Sequence, residues 1–190
     1  MTEDRLSPEE RTLLLKEARR ALEFGVTRRP LPPLNLEEYP PKLRQPGATF
    51  VTLTVDGSLR GCIGTLEPYQ PLIADVREHA IAAALKDYRF PPVQPAELET
   101  IEIEISRLTI PQHLAYDSPE DLLAKLRPGV DGVLLQDGMR RATFLPQVWE
   151  KIPVPSQFLS ELCQKMGAPA DLWRQKHLEV EIYQVEEFHE

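Results

Sequence analysis

Two alternating runs, each turned on an Asp-Gly pair, most constrain what this chain can fold into. "ATFVTLTVDGSLRGCIGT" turns at Asp56 and Gly57, and "GVDGVLLQDGMRRATFLP" turns near Asp137 and Gly138. Asp-Gly between alternating apolar residues is a strong short-range hairpin signal, so neighbouring strands here run antiparallel. "TIEIEISRLTI" alternates with Ile101, Ile103 and Ile105 on one side, and "HLEVEIYQVEEF" closes the chain as a further alternating strand.

Helical patterns separate these strands. "SPEERTLLLKEARRALEFG" opens with Ser7 as N-cap, Pro8 at the first helical position and Glu10 completing a capping box. Leu14, Ala18, Ala21 and Leu22 form its stripe, and Gly25 supplies the stop. A second helix spans about residues 71–87, with Leu72, Val76, Ala80, Ala83 and Asp87 on one arc and His79 at its edge. "SPEDLLAKLRPG" is capped by Ser118. "PSQFLSELCQKMG" carries the stripe Phe158, Leu159, Leu162, Cys163 and Met166, which makes Cys163 a core thiol. The order α, hairpin, α, strand, α, hairpin, α, strand lacks βαβ alternation. It predicts an α+β fold with a largely antiparallel sheet flanked by helices. The proline-rich "TRRPLPPLNLEEYPPKLRQPG" reads as an extended connector, free of helix and central strand.

Composition removes several function classes. The net charge is −8, and the "RR" pairs at 19–20, 28–29 and 140–141 form no basic stripe, so nucleic acid is not the expected partner. No apolar run approaches the ~20 residues of a membrane helix. "MTEDRLSPEER" is too polar and acidic for a targeting signal, so cytoplasmic residence is expected. Cys62 and Cys163 form no CxxC, and the four histidines show no ligand spacing; no metal site is announced.

"LRGCIGT", residues 59–65, is the unusual stretch, because Gly61 and Gly64 flank Cys62 within a strand. A two-residue turn at Asp56 and Gly57 would bury Arg60 among Val51, Leu53 and Val55. A three-residue loop, Asp56 to Ser58 with a glycine bulge, instead puts Leu59 and Ile63 with those apolar residues. Thr52, Thr54, Arg60 and Cys62 then share the other face. Burying an unpaired arginine costs several kcal/mol in order of magnitude, so the second register is expected.

"LRGCIGT", followed by "DYRFPPV" and "EIEISRL", resembles the AMMECR domain family, whose bacterial and archaeal members are called AmmeMemoRadiSam system protein A. The resemblance runs through nearly the whole chain, with "GATFVTL", "AAALKDYRFPPV" and "FLPQV" in the family's order. The chain departs from the family's D-P-R-F motif at Tyr88, which stands where proline is typical, and has "IPVPSQFL" where a second tryptophan is common. The resemblance implies a single domain over residues 1–190 with a larger and a smaller lobe, and a signature near a cleft. It also implies co-occurrence with a Memo-type protein and a radical SAM enzyme. It brings no established reaction, and leaves any cofactor unknown.

Three readings of the signature stand open. In the first, Cys62 is a catalytic thiol activated by Arg60, with Asp87 or His79 orienting a group or relaying a proton. In the second, Arg60 and Arg89 bind an anionic group or a partner, and Gly61 and Gly64 allow a ligand or backbone to come close. In the third, the glycines serve packing alone. Asp87 is expected within salt-bridge range of Arg60 or Arg89.

Overall fold

The computed structural model of the chain describes residues 5–190. The first helix, α1 (Pro8–Val26), starts as its sequence dictates. The Ser7 hydroxyl accepts from the Glu10 amide, and the Glu10 carboxylate accepts from the Ser7 amide. Gly25 does not stop it; it lies inside the helix, against the Ile81 side chain.

The chain forms two compact units. One comprises the residues up to Thr109 together with Glu186–Glu190; the other is Ile110–Val185. After α1 the first contains a one-turn helix α2 (Pro41–Arg44), strands β1 (Pro46–Val55), β2 (Ser58–Gly64) and β3 (Gln70–Pro71), helix α3 (Leu72–Leu85) and strand β4 (Ile101–Leu108). The second contains β5 (Gln112–His113), α4 (Pro119–Lys125), β6 (Gly132–Asp137), β7 (Arg140–Phe144), α5 (Pro155–Lys165), α6 (Leu172–Gln175) and β8 (Glu179–Tyr183). β9 (Val185–His189) returns to the first unit.

The α+β architecture stands, with two sheets where one was expected. The first runs β2-β1-β4-β9, with β3 also on β1; the second runs β5-β8-β6-β7. β1 pairs antiparallel with β2, β3 and β4, and β8 and β7 pair antiparallel with β6. The closing strand is likewise two strands broken at Gln184, β8 serving one sheet and β9 the other. Alternation shows that a segment is extended. It carries no information about a change of partner halfway along.

In the first unit, Leu14, Ala18 and Leu22 of α1, Val76, Ala80 and Ala83 of α3, and Val51, Leu53, Ile103 and Ile105 of the sheet share one core. Burying each large aliphatic side chain contributes about 1.5–3 kcal/mol. The proline-rich connector is fastened to these helices. Arg77 Nη2 donates to the Pro32 carbonyl (2.5 Å) and Arg77 Nε lies 3.8 Å from the Glu17 carboxylate. Tyr39 meets the same carboxylate; burial, then the bond to Glu17, pushes the phenol up to about 12. The connector does contain a helical turn, α2, because Pro41 sits at the first helical position, where its missing N–H costs nothing.

In the second unit, Leu122, Val133, Leu135, Phe158, Leu162 and Trp173 are fully buried, and Trp149 stacks on Phe158 at 3.7 Å. Cys163 is buried among them, as its helical stripe predicted, and burial raises its thiol pKa. Among the described residues, no helix is long and apolar enough to cross a membrane.

Candidate functional site

The signature lies on β2, the outermost strand of the first sheet. Its hairpin departs from the expected register. Val55 pairs with Ser58, leaving a two-residue turn of Asp56 (φ 50°) and Gly57 (φ 73°). That is the conformation Asp-Gly favours. The register shifts further along: Leu53 faces Gly61 and Thr54 faces Leu59, so Arg60 is the extra residue of a β-bulge. The physical requirement, that Arg60 stay out of the core, is met by the bulge and not by a longer loop. Cys62 therefore pairs with Thr52, and Ile63 with Val51, on the faces the sequence implied. Leu59 does not follow. It sits opposite Thr54 and is 43% exposed.

Both glycines are required by close approach. A Cβ on Gly61 would stand 2.1 Å from the Ala83 carbonyl oxygen, so α3 packs directly on the bare strand backbone. A Cβ on Gly64 would stand 2.3 Å from the Thr49 carbonyl oxygen and 2.5 Å from the Phe50 ring. The neighbours that need this space are segments of the chain itself.

The polar groups of the motif are bound to backbone and to one another. Asp87, buried just beyond α3, accepts the Cys62 amide at 2.9 Å on Oδ2 and the Arg89 amide at 3.1 Å on Oδ1. Arg89 adds Nε to Oδ1 (2.9 Å) and Nη2 to Oδ2 (2.7 Å), and Nη2 also approaches the Cys62 carbonyl at 3.4 Å. The Arg89 bonds, with the Cys62 amide, hold the Asp87 carboxyl far below the usual carboxylate range, against the effect of burial. Of the two expected partners for Asp87, the structure brings Arg89.

Arg60 is taken by Glu97 instead. Its Nε donates to Glu97 Oε1 (2.7 Å), its Nη2 to Oε2 (3.1 Å) and its Nη1 to the Pro91 carbonyl (2.9 Å). Glu97 also accepts the Gln94 amide at 2.7 Å, and its pKa is lowered first by Arg60 and then by that amide. Nothing in the sequence links residues 60 and 97; only the Gln94-to-Glu97 capping spacing was legible.

Cys62 is half-buried, and its sulfur accepts a hydrogen bond from the Thr52 hydroxyl at 3.2 Å. His79 is engaged elsewhere. Its Nδ1 lies 3.2 Å from Asp75 Oδ2, which also accepts the Thr49 amide (2.9 Å) and hydroxyl (2.6 Å). The four-residue spacing of Asp75 and His79 on a helix was the available signal for this buried cluster. Among the described residues, no three His, Cys, Asp or Glu side chains converge as a metal site.

These features define an α+β protein in which a glycine-bearing edge strand is held by a helix-end carboxylate. The chain belongs to the AMMECR1 family, whose model matches residues 15–188. It is 41% identical over 193 residues to a Methanothermobacter thermautotrophicus protein, covering 97% of this chain and 96% of that one. It is also 41% identical over 200 residues to a Thermofilum pendens protein, covering 97% and 91%. The crystal structure of an uncharacterized Pyrococcus horikoshii protein, PH0010, matches with a TM-score of 0.77 at 33% identity, over 97% of this chain and 93% of that one.

Proposed function

We propose that the signature strand and residues 87–90 form a recognition surface, and that the protein acts as a binding component of a larger system. One observation carries this reading. Asp87 and Arg60 make four and three hydrogen bonds within the chain, while Tyr88, between Asp87 and Arg89 in the motif, is 96% exposed. A carboxylate so committed and so acidic is a weak general base. An aromatic ring held outward on a fixed backbone is the kind of anchor that partners bury. The family resemblance supplies the partners to try, a Memo-type protein and a radical SAM enzyme.

Calorimetric titration of the Memo-type protein against wild type and Tyr88→Ala tests the reading. The variant should bind about tenfold more weakly, a loss of about 1.4 kcal/mol. Equal affinity removes Tyr88 from the interface and sinks the proposal.

The thiol reading retains one specific support, the Thr52 hydroxyl directed at Cys62 Sγ. If that contact matters chemically, Thr52→Val changes the rate of Cys62 alkylation at fixed pH severalfold. An unchanged rate leaves Cys62 as a small side chain that fits.

A further inference from the structure

Among the described residues, β2 is an outer strand whose only strand partner is β1. The Cys62 amide points away from β1, to Asp87, so the Thr52 and Cys62 pair is of the non-hydrogen-bonded kind. Alternation then turns the amide and carbonyl of Gly64 outward as well. At Cys62 the chain supplies its own substitute for a neighbouring strand. Asp87 Oδ2 stands where a partner's carbonyl would accept, and Arg89 Nη2 stands where a partner's amide would donate. Among the described residues, no strand does so at Gly64.

The side chains around this edge are also unusual. Among the described residues, Leu59, Leu66, Tyr69 and Tyr88 are the exposed large hydrophobics of the first unit, and all four lie on β2, follow it closely or adjoin its clamp. Tyr88 stands between two cations in the sequence. Arg89 is 46% exposed, and its Nη1 makes no hydrogen bond among the described residues. Lys86 is exposed, and its charge acts on Glu78.

We propose that this edge takes an extended segment of a partner polypeptide by strand addition, starting at Gly64, and that the segment carries a carboxylate beside its apolar residues. The proposal rests on the recognition reading above and adds its mode. Because Asp87 and Arg89 take the Cys62 groups and β2 ends at Gly64, the edge offers the Gly64 amide and carbonyl, a main-chain pair that an extended backbone matches. The apolar side chains supply contacts for alternate residues, and Arg89 supplies the charge preference. The bulge at Arg60 and the Asp87 clamp bound the ladder on its other side, which fixes the register.

The test selects binders from a random dodecapeptide display library on the immobilised full-length chain. Amide hydrogen exchange is then read with a selected synthetic peptide. Enriched peptides should alternate apolar residues, include Asp or Glu, and slow exchange at Gly64 by about tenfold. Arg89→Ala should weaken them about fivefold, and so should Tyr88→Ala, whose ring is too exposed to matter for folding. Failure to enrich any peptide overturns the proposal, as do peptides that leave Gly64 exchange unchanged. Protection of Gly64 by the protein alone at high concentration, with dimers in sedimentation, makes the occupant a second copy and equally overturns it. If the Memo-type protein requires Tyr88 but leaves Gly64 exchange untouched, strand addition fails and the recognition reading survives. If peptides protect Gly64 while Tyr88→Ala binds that partner normally, the reverse holds.

Discussion

The two hairpins use the same Asp-Gly dipeptide in different frames. In the first, Asp56 and Gly57 are the two turn residues; in the second, Asp137 pairs with Arg140, so Gly138 and Met139 make the turn. The β6–β7 ladder then runs without a break from Asp137 to Val133. The β1–β2 ladder carries a bulge, two glycines under direct contact and a carboxylate bound to its outer amide. Local rules are kept in one hairpin and broken four times within five residues of the other. Such concentration is the ground for proposing the recognition surface at this stretch.

Glycine substitutions should separate the hairpins most. Gly61→Ala forces β2 away from Ala83 and should cost about 3 kcal/mol by urea unfolding, in the range of overpacked cores. Gly138→Ala meets open space but keeps a φ of 60°, and should cost about 1 kcal/mol. Equal losses would show that α3 yields easily and that the close approach is incidental.

The carboxylates come next. Asp87→Ala strands the Cys62 amide and should cost about 2 kcal/mol. Asp137 holds exposed Arg140 and Lys176, and Asp137→Ala should have the smaller effect in the same unfolding assay. Asp87 also sets an acid limit. Its folded pKa is depressed, so its contribution is present above the unfolded value of about 3.9 and lost as pH falls below it. Acid unfolding of Asp87→Asn should therefore be shallower than wild type below about pH 4. Parallel curves would mean the clamp contributes nothing.

The smallest effect is expected at the thiol. Cys62→Ser keeps a group that can accept from Thr52, and its urea midpoint should stay within about 0.5 kcal/mol of wild type. A larger loss would return the signature to packing.

Much of this fold was legible because each element carries its own marker. The Ser7 capping box, the Ala-rich face of α3 and the isoleucine alternation of β4 are local signals. Pairing choices were not. Whether Arg60 avoids the core through its turn or through a bulge depends on where α3 lies, and its partner Glu97 is 37 residues away. The break at Gln184 depends on two sheets competing for one alternating segment. At the site, the residues Arg60, Cys62, Asp87 and Arg89 could be named from sequence. Which arginine would hold Asp87, and which backbone amide Asp87 would hold, could not.

On the proposed recognition role, the signature's polar side chains fix its backbone and Cys62 is not required for turnover. Turnover of a system reconstituted with the Memo-type protein and the radical SAM enzyme, comparing wild type with Cys62→Ser, tests it most directly. Full activity of Cys62→Ser is predicted. Loss of activity with unchanged stability and unchanged partner affinity would contradict the account and make the thiol the reactive group.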